Sequence, residues 1–199
     1  MLDQDLLQLA CDLTAGLATE DRYRRLIDTV LRIIPCEAVA LLRLDGDALV
    51  PLAFSGLVPE LAGRRLIPRE HPRLGIILGH RDAGGGAAPV RFAPDSTIPD
   101  PYDGLMLADP HACARIHACM GCPLIAHGEV IGALTLDSRD PAAFAAIPDA
   151  TIATLAALAG ASIHTVGLIE ALERTSQHRS TVLRQLVRDD RERRGDRLL

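Results

Sequence analysis

Two pairs of β-rich runs, each pair joined by a short turn, constrain the fold of this chain more than any other feature. The first pair lies in EAVALLRLDGDALVPLAFSG (37–56), where Asp45-Gly46 is a preferred two-residue hairpin turn. The second pair lies in RIHACMGCPLIAHGEVIGALTLD (115–137), which turns near His127-Gly128. Because hairpins pair their strands antiparallel, the chain must contain an antiparallel sheet.

Helical periodicity flanks the hairpins. Apolar stripes predict two helices within residues 3–35, one helix from His71, and a long helix after Pro148. The long helix carries a seam at alternating spacings of three and four residues: Leu155, Leu158, Ser162, Thr165, Ile169 and Leu172. With a short strand at VRF (90–92), this order predicts an α+β fold: a central, mostly antiparallel sheet with the N-terminal and the long C-terminal helices on one face.

The stretch 93–115 is long, rich in proline and without periodicity. Loops of this length inside a domain are usually functional or disordered. We expect it to roof a ligand pocket on the sheet face that the terminal helices leave free. This arrangement resembles that of a GAF domain, a small sensory fold. The expected boundaries are a sensor domain at 1–174 and a helical, charged linker at 175–199.

Composition excludes several classes of function. A net charge of −5 argues against non-specific nucleic-acid binding, and 3% aromatic residues without tryptophan offer no stacking platform for single strands. The acidic start lacks the basic region of a secretory signal, and no apolar run is expected to reach transmembrane length. An odd number of cysteines, five, then favours a cytoplasmic protein with reduced thiols.

Strand parity arranges the candidate ligands of the second hairpin. Because successive residues of a strand point to opposite faces, His117 and Cys119 share one face and Cys122 lies on the other. This weakens a CxxC interpretation of Cys119 and Cys122, unless Gly121 forms a bulge. A zinc ribbon would also need a second CxxC pair, which the sequence lacks.

Asp137 ends the apolar run GALTLD and can join these residues in only one hairpin register. A three-residue loop, His127-Gly128-Glu129, would pair it with Cys119 on the same face. A strict two-residue turn at His127-Gly128 would put Asp137 on the wrong side. Both loop lengths are common, so the sequence leaves the register open. A carboxylate that closes a buried strand nevertheless needs a partner.

The segment IPDPYDGL (98–105) supplies two more carboxylates, Asp100 and Asp103, close enough together to turn toward one point. With the strand residues, this makes three carboxylates, one imidazole and one thiolate. Mostly hard oxygen donors with nitrogen suit a divalent first-row metal such as iron(II), whereas structural zinc prefers more sulfur. Five protein ligands on an octahedral ion leave one position open, where a small diatomic gas could bind.

Four motifs carry a resemblance to a known family: HPRL (71–74), PDPYDGL (99–105), HACMGCPL (117–124) and GALTLD (132–137). In this order they resemble the N-terminal GAF domain of the NorR family. The members of this family are nitric-oxide-responsive, sigma-54-dependent transcription activators. The similarity runs from Leu6 to Leu172. It implies a regulatory domain, not an enzyme, that binds nitric oxide at a mononuclear non-haem iron(II) centre. Binding would relieve the inhibition of an adjacent AAA+ domain and switch on nitric oxide detoxification genes.

The matched positions imply five iron ligands: Asp100, Asp103, His117, Cys119 and Asp137. Arg73 would be the pocket arginine near bound nitric oxide, and Tyr102 would line the pocket. Residues 175–199 would lead toward an AAA+ domain of the same or a partner chain, since no GxxxxGK[ST] phosphate loop occurs here. The long helix has less to pack against past Glu173, which favours a homodimer or a signalling linker. This stretch of chain would contact neither nucleic acid nor membrane.

Each residue taken alone has an ordinary structural explanation. His117 and Cys119 could be core residues, the loop aspartates could form turns, and Arg73 could pair with Asp100 or Asp103 to hold the loop. Two other functions therefore stay open. One is a GAF domain that binds a small organic ligand or only mediates dimers without metal. The other is an enzyme, for instance a methionine sulfoxide reductase using Cys113, Cys119 or Cys122.

Overall fold

The computed structural model describes residues 2–14, 18–107 and 118–195. Its strands form one antiparallel sheet in the order β2-β1-β5-β4-β3, which confirms the predicted α+β fold and order of elements. The elements are α1 (Leu2–Thr14), α2 (Thr19–Ile33), β1 (Ala38–Asp45), β2 (Ala48–Ser55), a 3-10 turn (Pro59–Leu61), α3 (Pro72–Gly79), β3 (Val90–Phe92), β4 (Ala118–Ala126), β5 (Glu129–Ser138) and α4 (Asp149–Gly195).

The first hairpin turns one residue later than predicted. Asp45 still belongs to β1 and pairs with Ala48, so the two turn residues are Gly46 and Asp47. Gly46 adopts a φ of +63°, a conformation that costs a residue with a Cβ. The prediction at Asp45-Gly46 was wrong because the strand ladder extends to the aspartate and leaves the glycine as the first residue of the turn.

The two faces of the sheet differ in the elements that pack against them. One face is buried by α3, which packs on β4 and β5, and by the loop that contains Tyr102. The core on this face also includes Ala38, Ala40, Leu42, Leu74, Ile77, Phe92, Cys119 and Ala133. Elsewhere α2 packs on β1 and β2, through buried side chains that include Leu26 and Val30. The face under α3 is the one that carries the candidate site.

Two units divide the chain, Met1–Ile163 and His164–Leu199. Within the first unit, α4 begins as a core helix: Ile152, Leu155, Ala156 and Ala159 are fully buried. In the second unit α4 continues to Gly195 and carries exposed apolar side chains at Leu168, Ile169, Leu172 and Val182.

The composition of α4 corrects one expectation from the sequence. The stretch Asp149–Val182 is long and apolar enough to cross a membrane by length and composition, with a mean hydropathy of 1.8 in its best window. Of that window, 44% is buried inside the protein. The core helix of a globular domain passes the same test of length and composition.

Gly121 of β4 lets α3 lie close to the sheet. A Cβ at this position would come 2.3 Å from Cδ1 of Ile77, a side chain that is itself buried. We expect Gly121→Ala to push α3 outward and to lower the free energy of unfolding by about 1–3 kcal/mol, as overpacking of a core does. Urea unfolding monitored by circular dichroism measures this loss.

Gly79→Ala is the matched control, because nothing lies within 4 Å of a Cβ added at this last residue of α3. It should leave stability unchanged or raise it by up to about 1 kcal/mol, since alanine is the better helix former. Equal losses in the two variants would contradict the close approach of α3 to β4.

Candidate metal centre

Cys119 and Asp137 lie directly opposite each other on β4 and β5. This is the pairing that the three-residue loop predicted, but the structure reaches it differently. The turn has two residues, His127 and Gly128, both with positive φ, and Ala126 pairs with Glu129. A bulge then shifts the register by one residue and restores the pairing that a plain two-residue turn would lose. Of the two alternatives that the sequence left open, the structure thus has the two-residue turn together with the pairing expected from the three-residue loop.

The bulge lies between Leu124, which pairs with Gly132, and Ile125, which pairs with Val130. Ile131 is the extra residue on β5. From Leu124 onward the two strands stay in register as far as Ala118 and Ser138. Cys119 and Asp137 consequently project from the same face, toward α3 and the loop.

The proline-rich loop brings a second carboxylate to this face. Asp100 is buried, and its Oδ1 accepts a hydrogen bond of 2.8 Å from the backbone N–H of Tyr102. The Tyr102 side chain is fully buried, and its hydroxyl shares a hydrogen bond of 3.0 Å with Oγ1 of Thr135 on β5. The tyrosine thus fastens the loop to the strand that carries Asp137, two residues further along.

Asp100, Cys119 and Asp137 form a buried cluster of three donors. One ligand atom from each of them lies within 4.8 Å of the others. Within the part of the chain that the structure describes, no hydrogen-bond donor from outside the cluster reaches either carboxylate oxygen of Asp137. A fully buried carboxylate without donors is costly unless a proton or a cation satisfies it. Two carboxylates and a thiol at this spacing fit a divalent transition-metal ion.

Burial dominates the protonation of the cluster. It raises the pKa of Asp137 well above its usual range, and the charge of Asp100 raises it further. Burial also raises the pKa of Asp100, which outweighs the lowering by the Tyr102 N–H and the Arg73 guanidinium. The pKa of Cys119 is raised by burial and by both aspartates. A metal ion would have to displace these protons, so its affinity should increase with pH.

Arg73 connects α3 to the loop. Its Nη1 donates a hydrogen bond of 2.7 Å to Oδ2 of Asp100, and its Nε donates one of 2.9 Å to the carbonyl oxygen of Ile98. The guanidinium also lies over the ring of Phe92, 5.1 Å from the centroid. This ion pair is almost completely buried, with 7% and 2% of the two side chains exposed. Pairing with an aspartate, one of the alternatives for Arg73, is confirmed for Asp100.

Asp103 is not part of this cluster, and two other candidate residues lie where the structure gives no description. Asp103 is exposed, although its charge contributes to raising the pKa of Asp100. It lines an open cavity of about 370 Å³ together with Arg73, Pro94, Asp95, Ser96, Thr97, Ile98, Pro99 and Asp100. His117 lies outside the described residues, as does Cys113. The structure therefore brings together Asp100, Cys119 and Asp137, with Arg73 and Tyr102 around them.

Cys36 is a neighbour of the cluster that sequence reasoning missed. Burial raises its pKa to about 12, and the charge of Asp137 contributes to this. Its proximity follows from the pairing of β1 with β5, because Ala38, two residues later, pairs with Asp137, and no local sequence signal gives that pairing. Cys122 lies on the opposite face from Cys119, as predicted, and burial raises its pKa to about 12 as well. Thiol catalysis needs a lowered pKa, and none of these three thiols has one.

Comparison with known proteins identifies the family to which this sequence is similar. The GAF domain model matches residues 18–163. The chain is 43% identical over 171 residues to the anaerobic nitric oxide reductase transcription regulator NorR of Serratia proteamaculans, which covers 86% of this chain and 32% of that protein. It is 40% identical over 171 residues to the NorR of Aeromonas hydrophila, with the same coverage, 86% and 32%. The chain thus spans about a third of the length of these curated relatives.

Solved structures agree on the fold. The GAF domain from a phosphoenolpyruvate-protein phosphotransferase of Coxiella burnetii superposes with a TM-score of 0.68 at 22% identity, covering 85% of this chain and 96% of that one. At this identity the similarity concerns the fold alone. The GAF fold and the resemblance to NorR regulators that the motifs predicted are both confirmed.

Proposed function

We propose that this chain, which belongs to the GAF domain family and matches NorR regulators over most of its length, is the sensory domain of a nitric-oxide-responsive transcription regulator. Its ligand would be nitric oxide, bound at a mononuclear non-haem iron(II) centre. One observation carries the proposal: the carboxylate of Asp137 is fully buried beside a second carboxylate and a thiol, and no donor among the other described residues reaches it.

The residues proposed to hold iron(II) are Asp100, Asp103, His117, Cys119 and Asp137. Bound ferrous iron supplies an open coordination position at which a diatomic gas can bind. Arg73 would keep its guanidinium at the edge of this site, where Asp100 and the Ile98 carbonyl hold it. Tyr102 would exclude water from one side, because its ring fills the space between the loop and β5.

The proposed response to nitric oxide is a conformational change that is transmitted along α4. We propose that nitric oxide shifts the chain between two states and that α4 passes this shift to an AAA+ domain of the same or a partner chain. Relief of inhibition of that sigma-54-activating domain would switch on nitric oxide detoxification genes. Exposed Leu168, Ile169 and Leu172 support a homodimer through α4. The domain would work in the cytoplasm, without contacting nucleic acid itself, and residues 175–199 would be its linker.

Iron loading and spectroscopy test the proposal. Anaerobic reconstitution of the purified chain with ferrous iron should leave stoichiometric iron after desalting. Nitric oxide should then produce an electron paramagnetic resonance signal that neither the metal-free chain nor the iron-loaded chain gives alone. Alanine substitution at each of the five proposed ligands should lower the iron content. The control is Asp95→Ala, which removes an exposed carboxylate from the same loop and should leave the iron content unchanged.

A folded chain that retains no iron and gives no signal would overturn the proposal. The chain would then be a module for an organic ligand or for dimerisation. Thiol-dependent turnover of methionine sulfoxide that is lost in Cys119→Ser would instead identify an enzyme.

A further inference from the structure

The short strand β3 has one side on the candidate site and the other on the start of α4. Among the described residues it is an edge strand of the sheet and pairs with β4 alone, where Phe92 lies opposite Cys119 and Arg91 opposite Met120. Phe92 is buried, and its ring lies under the guanidinium of Arg73. Because neighbouring residues of a strand point to opposite faces, Arg91 projects away from the site.

Arg91 binds three acceptors between the end of β5 and the start of α4. Its Nε donates to the carbonyl oxygen of Phe144 at 3.2 Å, and one Nη donates to the carbonyl oxygen of Ile147 at 2.6 Å. Its other Nη donates to Oδ1 of Asp149, the first residue of α4, at 2.6 Å. The Phe144 side chain is buried, so this connection is itself anchored in the core.

The planar guanidinium suits this arrangement because it presents its donors in a fixed fork. The ion pair with Asp149 alone would be weak, since 33% of the arginine side chain and 69% of the aspartate side chain are exposed. The two backbone carbonyls are what fix the geometry. They make the position of β3 and the position of the first turn of α4 depend on one side chain.

We propose that Arg91 is a positioning residue that transmits a displacement of β3 at the candidate site to the first turn of α4. Phe92 receives the displacement from Arg73 and Cys119, and its neighbour Arg91 passes it to Ile147 and Asp149. An edge strand of three residues can shift more easily than a strand paired on both sides. Because α4 is one continuous helix from Asp149 to Gly195, a change at its first turn can travel along it. The inference rests on the proposed function only in taking the cluster as the place where the signal arrives.

A double-mutant cycle in the metal-free chain tests this coupling. Phe92→Leu loosens β3 without leaving a polar group unpaired, and Arg91→Gln removes the fork. Hydrogen exchange at amides 153–156, in the first bonded turn of α4, is the readout. We expect Phe92→Leu alone to accelerate this exchange about fivefold, the low end of site-to-site couplings. In the Arg91→Gln background, Phe92→Leu should cause no further acceleration.

Arg65→Gln is the matched control background. Arg65 also donates to a carboxylate and a backbone carbonyl, both of Asp45, but it lies at the first hairpin. In the Arg65→Gln background, Phe92→Leu should accelerate exchange at amides 153–156 as much as it does in the unaltered chain. Arg91→Lys keeps the charge without the fork and should behave like Arg91→Gln. Circular dichroism should show that all variants are folded before exchange is measured.

Additive effects of Phe92→Leu and Arg91→Gln, or no effect of Phe92→Leu in the unaltered chain, would overturn the coupling. The cycle needs no iron, so its failure is distinguishable from failure of the proposed function. A coupled cycle in a chain that binds neither iron nor nitric oxide would overturn the sensor and leave the Arg91 link standing. In an iron-loaded chain, nitric oxide should change exchange at amides 153–156, and Arg91→Gln should abolish that change.

Discussion

Replacing Asp137 with asparagine is expected to stabilise the metal-free chain and to weaken its binding of ferrous iron at least about 100-fold, more than the loss of an outer-shell group. The carboxylate is buried, and outside its own cluster the described residues offer it no hydrogen-bond donor, so its charge is a cost that a proton or a cation would relieve. The amide has nearly the same shape and cannot ionise. We expect the free energy of unfolding at neutral pH to rise by about 1–4 kcal/mol, the range found when buried ion pairs are replaced by uncharged residues.

The pH dependence of this gain has a definite sign. The pKa of Asp137 is raised in the folded state above its unfolded value of 3.8, mainly by burial. The protonated group therefore contributes stability that is fully present below 3.8 and is lost as the pH rises through the folded-state pKa. The advantage of Asp137→Asn should be small at pH 3.8 and should grow above it, by at most about 1.4 kcal/mol per pH unit.

Urea unfolding of both chains in the presence of a chelator, at a series of pH values, measures this difference. Asp95→Asn is the control, because its carboxylate is exposed and surface substitutions usually stay within about 0.5 kcal/mol. A metal-free Asp137→Asn chain that is less stable than the original at neutral pH would contradict our account of the cluster. It would mean that a hydrogen-bond donor of the protein already satisfies the aspartate without a metal ion.

Replacing Arg73 with methionine is expected to have the largest effect on folding. It removes the guanidinium from a buried ion pair and leaves Asp100 without its cation. Breaking such a pair from one side typically costs about 3–5 kcal/mol, because an uncompensated charge stays buried. The Ile98 carbonyl and the ring of Phe92 lose their partner at the same time. Thermal and urea unfolding of the metal-free chain measure the loss.

The double variant Arg73→Met with Asp100→Leu should recover most of that stability, since neither charge remains. Arg65→Met is the surface control. Its ion pair with Asp45 has the same length, 2.7 Å, but both side chains are about half exposed, and we expect less than about 1 kcal/mol. The loss in Arg73→Met should shrink at low pH, where Asp100 takes up a proton. A double variant no more stable than Arg73→Met would contradict the assignment of the loss to Asp100.

Local patterns were sufficient to predict the sheet and its order of elements. The two hairpins, the short strand VRF and the helix after His71 are all signalled by runs of a few residues. What the sequence left open was the hairpin register. A bulge depends on how β5 fits between β1 and β4, and no local pattern at Ile131 announces it. The same holds for the first turn, where extension of the ladder moved the glycine by one position.

The site was predictable in its strand residues and less so in its loop. Parity correctly put Cys122 on the face opposite Cys119, whereas the face of Asp137 depended on the hairpin register. Asp100 and Asp103 are equivalent in sequence, and only the packing of Tyr102 under the loop turns one inward and leaves the other exposed. Cys36 escaped notice because its proximity to Asp137 depends on the pairing of β1 with β5, far apart in sequence.

The bulge at Ile131 also makes the pairing of Cys119 with Asp137 tolerant of the loss of that one residue. Between the turn and Leu124 the strands follow one register, and beyond it they follow the next. A chain without Ile131 could form the same turn, and its strands would then pair directly in the register that places Cys119 opposite Asp137. Deletion of Ile131 would thus remove the bulge from the β4–β5 hairpin and leave Cys119 and Asp137 on the same face. A relative that lacks this one residue of β5 is therefore expected to keep the same pairing of thiol and carboxylate.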